Sequence, residues 1–159
     1  MNFPPKKSTC SESTDGKLHS DPLSSFSFPV RVYWEDTDAG GVVYHAQYLA
    51  FMERARTEWL RSAGLHQDAL KRDADLVFVV RALQTDFRAP ARLDDQLMVS
   101  VALLECRGAS FVLAQRITRN GTLLVAAQVK IAALTASTFR PRAIPDALLQ
   151  HLEPSSESL

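Results

Sequence analysis

The stretch "YWEDTDAGGVVYHAQYLAFMERARTEWLR", residues 33–61, decides how this chain folds. It opens with three acids, Glu35, Asp36 and Asp38, and continues with two glycines and a helical pattern. A single acid before a helix is usually an N-terminal cap, because its side-chain oxygen accepts one of the unpaired backbone N–H groups. Three acids followed by two glycines predict a backbone turn of a defined shape in front of the helix.

The helix is predicted from about residue 46 to residue 63. Its apolar side chains recur at spacings of four, three and four, which gives one buried face, and Gly64 suits the end of a helix. The members of that face are Tyr48, Met52, Ala55 and Trp59. Two pairs of opposite charge lie three residues apart on the same helix: Glu53 with Arg56, and Glu58 with Arg61.

Strand patterns lie on both sides of this helix. Residues 28–34 form the first, a possible short helix at 66–72 follows the long one, and Asn120-Gly121 is a strong hairpin signal. Four further strands are predicted: Leu76–Phe87, Gln96–Cys106, Ser110–Thr118 and Thr122–Thr135. Residues 140–149 are broken by proline and end in a short helix. Both faces of the second long strand are largely apolar, so we expect a covered sheet and pairing with an identical chain.

Composition sets the limits on function. The 159 residues suit one domain, and eighteen basic residues balance eighteen acidic ones, which gives no sign of nucleic-acid binding. Cys10 and Cys106 form neither a disulfide framework nor a metal motif, so a reducing compartment is expected and no metal site. No apolar run is long enough for a transmembrane segment, and no secretory signal follows the first lysines. We expect a disordered extension at 1–27, the domain at 28–152 and a tail at 153–159.

The acidic turn, which comprises residues 35–41, has the groups that acyl transfer to water requires. Asp38 can be a general base or nucleophile, and the N–H groups at the helix start can polarise a carbonyl oxygen. Gly40 and Gly41 would let a ligand approach the backbone closely. For any one acid, however, a capping role is the commoner explanation, and a lone histidine such as His45 is more often a structural hydrogen-bonding residue.

The stretch "RVYWEDTDAGGVVYHAQYLAFMERARTEWLR" resembles the opening of the hotdog-fold acyl-CoA thioesterases of the 4-hydroxybenzoyl-CoA thioesterase type. More narrowly, it is similar to the bacterial subgroup associated with the Tol–Pal envelope system. The stretches "FVVRALQTDFRAPARLDDQL" and "RGASFVLAQRI" continue the resemblance, which runs from about residue 28 to 151. Trp34 and Gln47 depart from the tyrosine and asparagine that are frequent in the family. The resemblance implies an α+β hotdog fold, with an antiparallel sheet of about five strands wrapped around one long central helix.

The resemblance also implies the roles of individual residues. Asp38 matches the family's catalytic aspartate, and His45 matches the residue whose backbone N–H activates the thioester carbonyl. The active sites of the family lie between subunits, so residues from both chains are expected to line the pocket. The candidate substrate-binding residues are Gly40, Gly41, Val42, Tyr44, Arg81, Arg88, Arg107 and Ser110. The arginines would meet the phosphates of coenzyme A, although solvated arginine is the commoner case.

The predicted activity is hydrolysis of an acyl-CoA thioester to a free acid and coenzyme A, with no cofactor. Two alternatives stay open: a hotdog hydratase or dehydratase that uses the His45 ring as base, and a non-catalytic module that binds acyl-CoA or acyl-carrier protein. The expected assembly is a homodimer or homotetramer. We expect a cytoplasmic protein, either free or peripheral to the inner membrane, and candidate further partners are acyl-carrier protein or envelope-associated lipid-synthesis enzymes.

Overall fold

The computed structural model describes residues 26–152. Five strands and three helices follow one another along the chain. The helices are α1 (His45–Ser62), α2 (Gln67–Ala74) and α3 (Asp146–Leu152). The strands are β1 (Phe26–Arg31), β2 (Leu76–Phe87), β3 (Gln96–Arg107), β4 (Ser110–Arg119) and β5 (Thr122–Thr135). The predictions for residues 1–25 and 153–159 lie outside the described residues.

The strands form one antiparallel sheet in the order β1-β3-β4-β5-β2, and α1 packs against one of its faces. The predicted α+β architecture, with five antiparallel strands and one long helix, is therefore confirmed. All four side chains of the predicted helix face are buried, and so are Phe51 and Leu60 beside them. Opposite them lie the buried residues of β3, β4 and β5, which alternate along each strand as the two-residue period of a strand requires.

The first strand differs from the prediction. It begins at Phe26 and ends at Arg31, so Trp34 lies outside it in a short 3-10 turn, Trp34–Asp36. The reason lies in the acidic turn, because the Asp36 carboxylate accepts the Tyr33 N–H at 2.8 Å and draws the chain away from the sheet. The hairpin prediction is confirmed, since Asn120 and Gly121 join β4 to β5 with φ angles of 50° and 80°.

The face of the sheet opposite α1 is partly open in the single chain. On β3, Leu97, Val99 and Val101 are buried against α1, whereas Met98 and Leu104 are exposed. Covering of both faces therefore stays a prediction about a partner chain. Within residues 26–152, no helix is long and apolar enough to cross a membrane.

Candidate active site

The first two acids of the quoted stretch have different surroundings. Asp36 is buried: its carboxylate holds the Tyr33 N–H, and its backbone carbonyl accepts the Tyr44 N–H at 2.9 Å. Asp36 therefore ties the strand end to the residue that precedes α1, which is a structural task. Glu35 is exposed to solvent on the 3-10 turn.

The third acid, Asp38, is exposed and lies in a tight turn. Its Oδ1 accepts the Gly40 N–H at 2.8 Å, and its backbone carbonyl accepts the Gly41 N–H at 3.0 Å. Its own N–H donates to the Val42 carbonyl at 2.9 Å, which closes the turn. One carboxylate oxygen is thus fixed by the backbone, and no described residue forms a hydrogen bond with the other. The Asp38 side chain is oriented and still able to react.

The two glycines serve this turn in different ways. Gly41 has a φ of +73°, a left-handed conformation that costs a residue with a Cβ about 1–2 kcal/mol. Gly40 has no such φ, but a Cβ at this position would lie only 3.0 Å from Asp38 Oδ1. Glycine at residue 41 therefore permits the backbone shape, and glycine at residue 40 leaves room for the carboxylate.

The helix that follows begins with a backbone donor for which the described residues offer no acceptor. Tyr44 is the N-cap residue and supplies no side-chain cap. Among residues 26–152, no acceptor receives the backbone N–H of His45. This N–H lies at the positive end of the dipole of an 18-residue helix, where a developing negative charge is stabilised. The His45 ring is exposed and packs at a tilt against the Tyr44 ring, with 4.4 Å between the ring centres.

The loop of residues 88–95 forms hydrogen bonds with the residue after the acidic turn and with helix α1. The buried Val43 donates its N–H to the Ala91 carbonyl at 2.9 Å, and the Ala91 N–H donates to Tyr48 Oη at 2.8 Å. Burial raises the pKa of Tyr48, although the Ala91 N–H and Arg119 act in the opposite direction. Sequence reasoning missed Ala91 because its contribution is made by backbone atoms, which no side-chain pattern reveals.

The same loop is fixed to the end of β4 by an ion pair. Arg119 Nη1 lies 2.5 Å from Asp95 Oδ2, and Asp95 also accepts the Arg92 N–H at 2.8 Å. Burial alone would raise the pKa of Asp95, but these two donors outweigh it and hold the pKa below its ordinary value. Neither Asp95 nor Arg119 was a candidate from the sequence, since both resemble ordinary surface charges there.

The candidate substrate-binding residues fall into two groups. Gly40, Gly41 and Val42 belong to the turn that contains Asp38, and Tyr44 follows this turn as the N-cap residue of α1. Arg88 follows β2 at the same end of the sheet, since its N–H donates to the Leu124 carbonyl, and its side chain pairs with Asp86 at 2.8 Å.

The remaining candidates lie elsewhere in the single chain. Arg81 is exposed at the irregular pairing between Val80 and Ala82, in the middle of β2. Arg107 and Ser110 lie at the β3–β4 hairpin, whereas the acidic turn is bonded through Val43 to the loop that leads into the opposite end of β3. The 12 residues of β3 separate the two ends by roughly 35 Å. One chain therefore does not bring Arg107 or Ser110 to Asp38.

The described residues show no group of three or more histidine, cysteine, aspartate or glutamate side chains that could hold a metal ion. The chemistry available here is that of a carboxylate seven residues before a helix-start backbone donor that has no acceptor among the described residues. This pair can take a proton from water, or attack a carbonyl directly, while the N–H stabilises the resulting oxyanion.

Comparison with known proteins gives consistent matches over most of the chain. The family model described as the thioesterase-like superfamily matches residues 32–152. The acyl-CoA thioesterase YbgC of Haemophilus influenzae is 50% identical over 122 residues, which cover 77% of this chain and 90% of that protein. YbgC of Helicobacter pylori is 39% identical over 124 residues, covering 72% and 90%. The crystal structure of a probable thioesterase from Bartonella henselae superimposes with a TM-score of 0.72 at 39% identity, covering 75% of this chain and 98% of that one.

Proposed function

The chain belongs to the thioesterase-like superfamily and is a thioester hydrolase, and we propose that it hydrolyses acyl-CoA with Asp38 and the His45 backbone N–H as its catalytic groups. The observation that supports this assignment most directly is the geometry of the turn. An oriented carboxylate with one free oxygen precedes, by seven residues, a helix-start N–H that has no acceptor among the described residues. The names of the YbgC relatives indicate acyl-CoA as the substrate class.

The reaction needs only these two groups and water. The thioester carbonyl oxygen accepts the His45 N–H, and a water activated by Asp38 attacks the carbonyl carbon, so that Asp38 takes the proton. The helix dipole stabilises the tetrahedral oxyanion. Collapse breaks the carbon–sulfur bond, and the leaving thiolate of coenzyme A takes the proton from Asp38. The products are a free carboxylic acid and coenzyme A.

A second route uses the same residues. The free Asp38 oxygen attacks the carbonyl carbon and expels the thiolate, which forms a mixed anhydride that water then hydrolyses. Adding hydroxylamine during turnover separates the routes. Hydroxylamine also cleaves acyl-CoA directly, so only an Asp38 hydroxamate, found by mass spectrometry, indicates the anhydride, and coenzyme A release without a modified Asp38 indicates the general-base route.

The role assigned to the His45 amide is tested by His45→Ala, which keeps the backbone N–H and removes the ring. We expect this variant to retain much of the wild-type rate of thiol release. Loss of nearly all activity would instead assign the ring a chemical role, as a hotdog dehydratase would require. Assay of the wild type with an enoyl-CoA and a 3-hydroxyacyl-CoA, followed by the ultraviolet absorbance of the conjugated thioester, tests that alternative directly.

We propose that the functional unit is a homodimer or a homotetramer. The core-facing side of β2 ends in three large apolar side chains, Val80, Leu83 and Phe87, which are 48%, 40% and 49% exposed. Their cross-strand neighbours on β5 are buried, so these residues belong to the core face and lack a cover at the sheet edge. A second chain would supply that cover. It would also be the means by which Arg107 and Ser110 reach an active site.

Light scattering after size-exclusion chromatography tests the assembly. We expect the wild type to have at least twice the monomer mass, and Leu83→Asp to dissociate and lose activity at low protein concentration. Lys71→Ala changes an exposed residue of α2, a helix outside the sheet, and serves as a control. A wild-type monomer with full activity would contradict the proposal.

We further propose that acyl-carrier-protein thioesters are a second substrate class and that the enzyme works in the cytoplasm or at the periphery of the inner membrane. The acyl groups of coenzyme A and of acyl-carrier protein are attached through the same pantetheine thioester, so the turn would act on both. Measuring kcat/KM for one acyl group on the two carriers decides the preferred carrier. Cell fractionation with an antibody against the native protein decides the location.

A further inference from the structure

A buried hydroxyl in the first turns of α1 reaches the loop behind the acidic turn. Tyr48 is 4% exposed, and its ring packs against Phe51 and Phe87 with ring centres 6.3 and 5.8 Å apart. Its Oη accepts the Ala91 N–H at 2.8 Å. The ring contacts account for the burial of the side chain, but they do not require a hydroxyl.

A backbone hydrogen bond joins the end of the acidic turn to the 88–95 loop. The turn from Asp38 to Val42 is closed by its own backbone hydrogen bonds. The residue after it, Val43, donates its N–H to the Ala91 carbonyl at 2.9 Å. Val43 and Ala91 are both buried, so water does not compete for this bond. The position of the Asp38 carboxylate is therefore tied to the position of Ala91.

The other proposed catalytic group, the His45 backbone N–H, belongs to helix α1. The His45 N–H is part of the first turn of α1, and Tyr48 lies three residues further along the same helix. The hydrogen bond from the Ala91 N–H to Tyr48 Oη joins the helix to the loop. Arg119, at the end of β4, holds the loop in place through its ion pair with Asp95. It also donates a hydrogen bond to the Pro90 carbonyl at 3.4 Å.

We infer that Tyr48 is a positioning residue whose hydroxyl sets the location of the His45 backbone N–H relative to the Asp38 carboxylate. This inference rests on the proposed function. Tyr48 touches neither substrate nor water in the reaction, and it acts through Ala91. If the hydroxyl is lost, the helix start and the acidic turn can shift relative to each other, so stabilisation of the transition state suffers while binding of the rest of the substrate does not.

The test uses Tyr48→Phe, which keeps the ring and removes only the hydroxyl. We expect kcat for acyl-CoA to fall roughly 10- to 10²-fold with KM changed less than about threefold. An S-alkyl coenzyme A thioether has no carbonyl for the His45 N–H, so its dissociation constant is expected to stay within about twofold of the wild-type value. Amide hydrogen exchange at Val43 and Ala91 is expected to speed up.

Two controls distinguish positioning from general loss of stability. Ile144→Val shortens a buried side chain at the β3–β4 end of the sheet, where the Ile144 N–H donates to the Gly108 carbonyl. Tyr33→Phe removes the hydroxyl of an exposed tyrosine. Both variants are expected to keep the wild-type kcat when assayed well below their melting temperatures.

Three results would overturn the inference: an unchanged kcat in Tyr48→Phe, an equal loss of kcat in Ile144→Val, or thioether binding weakened as much as kcat. If the wild type hydrolyses no acyl-CoA, the proposed function fails. The amide hydrogen-exchange rates still test the hydrogen bond between the Ala91 N–H and Tyr48 Oη. Unchanged exchange at Val43 and Ala91 in Tyr48→Phe would then show that the hydroxyl does not hold the loop.

Discussion

Replacing Gly40 by alanine moves the Asp38 carboxylate and little else. The new Cβ would lie 3.0 Å from Asp38 Oδ1, whereas ordinary contacts begin at 3.4 Å, so the oxygen has to retreat by about 0.4 Å. The backbone at Gly40 does not have the positive φ that requires glycine, so alanine can adopt it. Gly40→Ala is therefore expected to displace the Asp38 carboxylate while the protein stays folded.

The expected loss of activity follows from the size of this displacement. A misplacement of 1 Å in an active site costs on the order of 10²-fold in rate, so 0.4 Å is expected to cost roughly five- to tenfold in kcat. That factor corresponds to about 1–1.4 kcal/mol of activation free energy. The free energy of unfolding should change by less than about 1 kcal/mol. Alanine contributes about 0.4–1 kcal/mol by lowering the conformational entropy of the unfolded chain, and the displaced Asp38 oxygen offsets that gain.

Gly41→Ala is the matched comparison, since no heavy atom lies within 4 Å of its added Cβ while its φ is +73°. It should lower the free energy of unfolding by about 1–2 kcal/mol through backbone strain. Thiol release at saturating acyl-CoA and thermal unfolding are measured on both variants. A Gly40→Ala enzyme with wild-type kcat would show that the position of the Asp38 carboxylate does not matter to the rate.

Two further predictions concern the supports of the site. The fully buried Gln115 accepts a hydrogen bond from the buried Arg56 guanidinium at 2.7 Å, so Gln115→Met should lower the free energy of unfolding by roughly 2–3 kcal/mol in urea titrations. A change below about 0.5 kcal/mol would contradict this prediction. The control is Gln128→Met, because Gln128 is exposed. Because the folded-state pKa of Asp95 is lowered, its stabilising effect is present above the unfolded value of 3.8 and is lost as the pH falls below it. Asp95→Asn should therefore weaken the decline in melting temperature below about pH 4, and an identical decline in wild type and variant would count against the Arg119 ion pair.

The parts of the fold that follow from periodicity could be predicted from the sequence. The apolar spacing of the long helix located its buried face, and the bounds of β2 and β5 match their patterns at both ends. The hairpin at Asn120-Gly121 was predictable because a tight turn requires two positive φ angles that these residues adopt readily. These features depend on residues close together in the chain.

The parts that depend on distant contacts could not be predicted. Arg56 has the predicted ion pair with Glu53, but the pattern gave no sign that Arg56 is buried against Gln115, 59 residues away. Similarly, D-x-D spacing does not say which aspartate is structural, because the answer depends on the Tyr33 and Tyr44 backbone. The distance of Arg107 and Ser110 from the turn follows from strand length and register, which single residues do not specify.

In the proposed function, the Asp38 carboxylate performs or assists the attack on the thioester. The most direct test follows thiol release from a panel of short, long and aromatic acyl-CoAs by wild type, Asp38→Asn and Glu35→Gln. An asparagine oxygen can still accept the Gly40 N–H, so the turn is expected to persist, and Glu35 is an exposed acid in the same stretch. We predict a loss of ~10²-fold or more in kcat for Asp38→Asn and none for Glu35→Gln. Equal rates in all three proteins would remove Asp38 from the mechanism.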